Sequence, residues 1–277
     1  MQTPQPILVT DLFQPTLEAL IQLLEGLSPE AWRRPTVCAG WAVKDVALHL
    51  LAVEISNLSR KRDGYSFTPQ KPVRSDHDLL EFINFLNKSW ISAMQRISTP
   101  LLIDLLNFVG EQTYAFFANI DPFELGEPVS WAGPKPAPNW LDLAREYTER
   151  WHHQQHIRDA VGEPGLKEPR FFAPILDAFV RAMPYTYRNV AAPEGTCITL
   201  CITGDSGGQW TIRQLGESWD LYVGAKESPD AKVTIDQEDA WRLFTKGVDL
   251  DQVRARSSLT GAEDLGAKIF QMVSIIA

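Results

Sequence analysis

The sequence has few of the features that mark several common protein classes. Only three of its 277 residues are cysteine, and this odd number without a disulfide-like spacing predicts a reducing, cytoplasmic location. The formal net charge is −9, so the chain lacks the basic surface that binds nucleic-acid phosphates. No apolar stretch approaches the length of a membrane span, and no secretory signal is recognisable. We therefore expect neither a nucleic-acid partner nor a membrane partner.

Sequence motifs of several enzyme classes are missing as well. The chain has no Gly-rich phosphate loop, no Gly-x-Ser-x-Gly motif and no Cys-x-x-Cys motif. These absences exclude P-loop, α/β-hydrolase and thioredoxin-like functions. A hydrophobic content of 44% and a charged content of 22% are typical of a globular protein, and the length suffices for two domains.

The first two-thirds of the sequence predicts helices. Apolar periodicity and capping residues place helix starts at Asp11, after the loop 35–41, at Ser75, at Thr99 and at Asn139. The Pro- and Gly-rich stretch 129–138 indicates a connection without regular structure. A further helix is predicted over residues 174–187. Together these helices suffice for a four-helix bundle with additional turns.

The pattern changes after Gly195, where short alternating segments predict strands. Four strands are predicted, at residues 196–203, 209–214, 218–223 and 231–235, with a hairpin turn at Gly204-Asp-Ser-Gly-Gly208. Two helices should follow, one over residues 237–246 and one that starts at Thr260. We therefore predict an α+β protein with two domains. The boundaries are a helical bundle over 1–165, a linker or connecting helix over 166–194, and a small α+β domain over 195–277.

The histidines are concentrated in one predicted helix, over residues 146–162. Glu149, His153 and His156 project from one face of that helix, since residues three and four apart are neighbours. A catalytic zinc site uses three protein ligands and leaves a fourth position open. Glu149 and His153, with His49 from another helix, would supply such a set, and His156 could replace one of them or support a ligand. His152 with His156 is an alternative pair, and spacing alone does not choose between the two.

Such residues also have purely structural roles in many proteins. A single histidine on an apolar helix, such as His49, is more often a hydrogen-bonded core residue than a ligand. Cys38 precedes the His49 helix and is either a reactive thiol or, as free cysteines more often are, a small buried residue. Spacing alone therefore does not establish a metal site.

Two segments resemble a known family. One is similar to the Gly-Trp-Thr-Val-x-Asp-x-x-x-His-Leu signature of the DinB-like superfamily, and it reads Cys38-Ala-Gly-Trp-Ala-Val-Lys-Asp-Val-Ala-Leu-His49-Leu. The other resembles the second motif of the mycothiol-dependent maleylpyruvate isomerase branch, and it comprises Trp131-Ala-Gly and Glu149-Arg-Trp-His-His153 through Arg158-Asp-Ala-Val-Gly162. The region after Gly195 is similar to the sterol-carrier-like C-terminal domain of that branch.

The resemblance implies a DinB-like four-helix bundle followed by a small sterol-carrier-like domain. It also implies a divalent metal, usually zinc, bound by the motif histidine and a Glu-x-x-x-His or His-x-x-x-His pair, which map to His49, Glu149 and His153. The chain departs from the pattern at Ala42, where a Ser or Thr cap is usual, so that the helix start should be weaker by about 1 kcal/mol. It also departs at His156, where relatives often carry Asp. A fourth protein ligand there would close the site and favour a structural metal.

With the resemblance added, we predict a cytoplasmic metalloenzyme that uses a low-molecular-weight thiol such as mycothiol. The metal would bind the thiol sulfur and present a thiolate to a small electrophilic substrate, for isomerisation or S-transfer. Glu149 is a metal ligand or a general base in this hypothesis. The alternative is a non-catalytic binding protein with a structural metal and an apolar ligand in the C-terminal domain.

Overall fold

Helices occupy the first part of the chain and a sheet occupies the last part, so the predicted α+β architecture is confirmed. The computed structural model describes residues 1–67, 72 and 74–274. In that part of the chain the first seven α-helices are α1 (Phe13–Glu25), α2 (Val43–Asn57), α3 (Asp76–Met94), α4 (Thr99–Phe117), α5 (Asn139–Val161), α6 (Pro169–Val180) and α7 (Met183–Thr186). None of the described helices is both long and apolar enough to cross a membrane.

Contacts between residues group the chain into two units. Among the described residues, the bundle unit comprises Val9–Asp121 and Tyr147–Leu166, and the sheet unit comprises Met1–Leu8, Pro122–Glu146 and the chain from Lys167 to Ser274. Helix α5 contributes residues to both units. The predicted domain boundaries (1–165, 166–194 and 195–277) stay a prediction.

Helix α2 is the central element of the bundle unit, where it contacts α3 and α4. Most of its residues are buried, and they include Val43, Val46, Ala47, Leu48, His49, Leu50 and Leu51. Its first turn compensates for the missing cap at Ala42, because the Asp45 carboxylate accepts the Ala42 N–H at 2.8 Å. This bond satisfies one backbone donor that a helix start otherwise leaves without a partner.

Two of the helix starts predicted before Gly195 are wrong. Asp11 does not cap α1, because it lies inside a 3₁₀ turn (Thr10–Leu12), whereas a capping residue needs an extended backbone. The helix predicted over 174–187 begins earlier, since Pro169 occupies the first turn, which proline favours. Pro174 is accommodated inside α6, although it removes one backbone hydrogen bond there. The predicted single helix is in fact two, because α6 ends at Val180 and α7 begins only at Met183.

The stretch 129–138 is not wholly irregular, so that prediction is also wrong. Strand β1 (Leu125–Pro128) pairs antiparallel with β2 (Pro136–Pro138). Prolines are tolerated in this pair because each strand has no second neighbour in the two-stranded sheet and therefore needs few backbone donors. The pair precedes α5 directly.

The larger sheet has five strands in the order β5-β4-β3-β6-β7. They are β3 (Cys197–Thr203), β4 (Gly208–Leu215), β5 (Ser218–Val223), β6 (Ala231–Asp236) and β7 (Ser258–Gly261). Strands β3 and β6 run parallel, and the other neighbours are antiparallel. The four predicted strands and the hairpin turn between β3 and β4 are confirmed. Helices α8 (Gln237–Phe244), α9 (Leu250–Arg256) and α10 (Glu263–Ala267) complete the unit.

The predicted helix start at Thr260 is wrong. Thr260 lies in β7 and pairs with Lys232 of β6, so sheet pairing overrides its local capping signal. Gly261 ends the strand with φ +85, and a Cβ atom at this position would lie 2.2 Å from the Asp230 carbonyl oxygen. Helix α10 therefore begins only at Glu263.

Glu238, in the first turn of α8, is the centre of a charged network. Its carboxylate accepts hydrogen bonds from Lys167 Nζ at 2.7 Å, Trp241 Nε1 at 3.0 Å and Arg242 Nη1 at 2.6 Å. Burial raises the pKa of Glu238, but the bonds from Lys167, Trp241 and Arg242 outweigh burial and lower the pKa below its usual 4.5. A group whose pKa is lowered by folding stabilises the protein above its unfolded pKa.

We therefore expect Glu238→Gln to reduce the free energy of unfolding at pH 7, and to matter progressively less as the pH falls below 4.5. The loss should be at most about 1 kcal/mol, because solvent screens a carboxylate that is 39% exposed. Urea unfolding measures this loss in the free energy of unfolding at pH 7 and at about pH 3.5, where the carboxylate becomes protonated. The exposed Glu227→Gln serves as the control, and a pH-independent loss at Glu238 would contradict the assignment.

Candidate metal centre

Three side chains from two helices meet inside the bundle unit. His49 lies in the middle of α2, and Glu149 and His153 lie one turn apart on α5. Glu149 Oε1 is 3.0 Å from His49 Nε2 and 3.2 Å from His153 Nε2. One donor atom of each residue lies within 4.8 Å of the other two. The structure thus brings together the three residues that the sequence predicts as ligands.

The distances between these atoms fit a metal ion. Zinc bonds to nitrogen and oxygen of about 2.0–2.1 Å place the ligands of a tetrahedral site about 3.3 Å apart. Hydrogen bonds from both imidazoles to Glu149 would give the same distances. The remaining nitrogens, His49 Nδ1 and His153 Nδ1, are buried without a hydrogen-bond partner among the described residues, so they do not distinguish the two arrangements. The donor types and spacing therefore fit a divalent ion bound by two nitrogens and one oxygen.

The protonation states of the cluster also suit a metal. Burial alone would raise the pKa of Glu149, but interactions with His153 and His49 outweigh burial and hold that pKa well below its usual range. Burial and the neighbouring His152 lower the pKa of His153 to about 3, although Glu149 opposes the change. At neutral pH the cluster thus offers a carboxylate and a neutral imidazole, the forms that bind metals. The Glu149 side chain is still 24% exposed, so that solutes can reach it.

Two aromatic neighbours hold the histidine rings. The Trp41 ring lies with its centroid 5.2 Å from that of His49. His152 donates from Nδ1 to the Thr148 carbonyl at 2.7 Å, and its ring centroid lies 4.0 Å from that of His153. Among the described residues, no group of three donors within 4.8 Å includes His152. His152 is therefore placed to orient His153 and is less well placed to bind metal with His156.

His156 contacts a residue that the sequence analysis did not connect with it. Its Nδ1 atom lies 3.2 Å from Cys38 Sγ, and Cys38, His153 and His156 form a second group of donors within 4.8 Å. Burial raises the pKa of the Cys38 thiol, and a hydrogen bond with Thr36 partly offsets this effect. His156 is not in the His49 group. The only available signal was that Cys38 lies in the motif that also contains His49.

A third group of donors lies on the surface of α3. His77, Asp78 and Glu81 each place a donor atom within 4.8 Å of the others. The Asp78 carboxylate also accepts the Arg74 N–H at 2.9 Å and so contributes to the start of the helix. These side chains are mostly exposed, and exposed acidic groups are common without a metal. We use this group below as a control.

Comparison with known proteins agrees with the fold and with the resemblance found in the sequence. Residues 13–158 match the family model of the mycothiol maleylpyruvate isomerase N-terminal domain. This chain is similar to a crystal structure of the mycothiol-dependent maleylpyruvate isomerase. The alignment covers 84% of this chain and 86% of that one, at 13% sequence identity and a TM-score of 0.52. The alignment with the structure of a His-to-Ala mutant of that enzyme covers 86% of this chain and 88% of the mutant chain, at the same identity and TM-score.

The structural likeness, at this low identity, supports the fold alone. A search of the curated proteins finds no significant match. The family match is the stronger finding, because it spans more than half of the 277 residues, includes the first motif and ends at Arg158, within the second motif. The chain belongs to the family defined by the mycothiol maleylpyruvate isomerase N-terminal domain.

Proposed function

We propose that the protein is a metal-dependent enzyme that uses a low-molecular-weight thiol of the mycothiol type. It would isomerise a small electrophilic substrate or transfer the thiol sulfur to it. Family membership supports the thiol, and one observation supports the metal: a single carboxylate oxygen, Glu149 Oε1, lies at ligand spacing from two imidazole nitrogens. Mycothiol and maleylpyruvate, which the family description names, are the first thiol and substrate to test.

His49, Glu149 and His153 would hold the ion, for which we propose zinc because two imidazoles and a carboxylate form a common catalytic zinc set. When bound, such an ion would lower the pKa of a coordinated thiol and stabilise the thiolate. The chain itself would position and deprotonate the thiol. Glu149 is ionised at neutral pH and partly exposed, so that its carboxylate can accept the thiol proton as a general base.

Neighbouring residues would keep the ligands oriented. The Trp41 ring packs against the His49 ring and would limit its rotation. His152, fixed by the Thr148 carbonyl, packs against His153 and restricts its rotation. Such supporting contacts commonly change metal affinity by about 10–100-fold when they are removed. The low exposure of His49 is consistent with a ligand that is held in place before the metal binds.

The ligand assignment predicts that His49→Ala loses the metal and that His77→Ala does not. His49 contacts Glu149 in the candidate centre, whereas His77 belongs to the exposed group on α3. Metal analysis after dialysis should show that His49→Ala has lost, relative to the wild type, the ion assigned to this centre, whereas an ion bound elsewhere in the chain stays. Conversion of maleylpyruvate with mycothiol should fall with the metal content.

The outcomes separate the two hypotheses about function. Full metal occupancy in His49→Ala would exclude His49 as a ligand, and metal loss in His77→Ala would place the ion on α3. If the wild type binds metal at His49 but consumes no thiol with maleylpyruvate or with other small electrophiles, the binding-protein alternative gains support. Thiol consumption that requires both the metal and His49 supports the enzyme.

A further inference from the structure

A second cluster of metal-binding side chains lies beside the candidate centre. Cys38 Sγ is 3.2 Å from His156 Nδ1, and together with His153 these residues place their donor atoms within 4.8 Å of one another. Neither Cys38 nor His156 belongs to the His49 group, and only His153 is common to both. The two groups are therefore distinct sets of ligands that share one imidazole.

The position of Cys38 is set by hydrogen bonds within its own loop. The Cys38 N–H donates to Thr36 Oγ1 at 3.2 Å, and the Thr36 hydroxyl donates to the Trp41 carbonyl at 2.9 Å. The Trp41 N–H donates back to the Cys38 carbonyl at 2.9 Å. Gly40, with φ +77, allows the tight reversal between them. The loop thus holds the sulfur at α5 through its backbone.

The two histidines of this cluster are three residues apart on α5 and so lie on one helix face. His156 is buried, with its ring centroid 5.3 Å from that of His153. His153 contacts Glu149 through Nε2. Its Nδ1 atom, which is buried and has no hydrogen-bond partner among the described residues, remains as the nitrogen for the second cluster. His153 therefore offers Nε2 to the first group and Nδ1 to the second, and it binds two ions at once only as an imidazolate that has lost its N–H proton, because a neutral imidazole has a single lone pair.

The chemistry of the cluster differs from that of the first group because it includes sulfur. A thiolate with two imidazoles selects borderline or thiophilic ions such as Zn²⁺ and Co²⁺. Bonds of about 2.3 Å to sulfur and about 2.0 Å to nitrogen place those two ligands about 3.5 Å apart in a tetrahedral site. The separation of 3.2 Å between Cys38 Sγ and His156 Nδ1 is close to this value.

We propose that Cys38, His153 and His156 form a second metal position, which binds a thiophilic divalent ion through a sulfur of the protein itself. This position depends on the proposed function only in sharing His153 with the first group. It also gives His156 a role that differs from that of a fourth ligand in the His49 group. The competing explanation is a hydrogen bond between a neutral thiol and an imidazole.

Cobalt(II) binding to the metal-stripped, full-length protein distinguishes these explanations. A thiolate bound to cobalt gives an intense near-ultraviolet charge-transfer absorption, which nitrogen and oxygen ligands do not give. We expect this absorption in the wild type and its loss in Cys38→Ser, with at least about a tenfold weaker affinity at this position. The matched control is Cys201→Ser, which alters another free, partly buried cysteine, on β3, and should keep the absorption.

His49→Ala completes the experiment because it removes a ligand of the first group only. The charge-transfer absorption should persist in this variant. The second position would be overturned if the wild type bound cobalt without the absorption, or if the absorption were unchanged in Cys38→Ser. Either result would leave the proposed function intact. Loss of the absorption in a folded His49→Ala variant would also overturn it as a separate position. A wild type that binds no cobalt would contradict both proposals, and circular dichroism would verify the fold of each variant.

Discussion

Glu149→Gln is expected to weaken metal binding by more than about a hundredfold and to abolish thiol-dependent turnover. Glu149 is the only carboxylate in the His49 group, and its Oε1 atom contacts both imidazoles. Loss of a residue that merely supports a ligand costs about 10–100-fold in metal affinity, so that loss of a ligand should cost more. The amide keeps the size of the side chain but removes both the negative charge and the proposed general base. Isothermal titration with Zn²⁺ and the mycothiol assay measure the two effects.

Asp159→Asn is the matched control for this variant, because it makes the same carboxylate-to-amide change at an exposed position of the same helix. It should keep the metal affinity of the wild type. Thermal unfolding gives an independent measure, since a metal at about one hundred times its Kd stabilises the folded state by about 2.7 kcal/mol. The wild type and Asp159→Asn should gain this stability, and Glu149→Gln should gain less, because it loses the ion of the His49 group. An undiminished gain in Glu149→Gln would show that the cluster is held by hydrogen bonds alone.

The sequence was sufficient to predict the candidate centre because its geometry is mostly local. Glu149 and His153 are one helical turn apart, so their proximity follows from the helix period alone. His49 is 100 residues away from Glu149, and no periodicity connects them. Its place beside the pair was predicted through the resemblance of the Gly-Trp motif to a family. Metal ligation by the three residues stays a prediction.

The contact between Cys38 and His156 could not be predicted in the same way. These residues are 118 positions apart, and Cys38 lies in a loop, where the position of a side chain depends on individual hydrogen bonds. The errors in the sheet unit have a related cause. Thr260 has a helix-capping signal, but pairing with Lys232 places it in a strand, because tertiary contacts override local propensity. Sequence patterns thus predicted most elements and missed those that depend on distant partners.

Another long-range contact in the bundle unit joins the two helices that carry the candidate ligands. Arg150 of α5 donates to Glu54 of α2 through Nε at 2.6 Å and through Nη2 at 2.9 Å. Both residues are buried, with exposures of 5% for Glu54 and 8% for Arg150. The Arg150 guanidinium also lies over the rings of Phe13 and Phe117. Removal of one partner would leave the other charge in an apolar environment, which is strongly unfavourable.

We therefore expect Glu54→Ala to reduce the free energy of unfolding by about 3–5 kcal/mol, the usual effect of breaking a buried ion pair. Asp239→Asn, which breaks the more exposed pair with Arg256, should have a far smaller effect, since solvent screens that pair. Urea unfolding of both variants measures the difference. The double variant Glu54→Met/Arg150→Met should recover much of the loss, because it leaves no isolated charge in the core. A loss in Glu54→Ala no larger than that in Asp239→Asn would show that water or a rearrangement compensates for the charge. If the large loss is observed and Glu54→Ala also binds Zn²⁺ more weakly, the ion pair fixes the alignment of α2 and α5 on which contact between His49 and Glu149 depends.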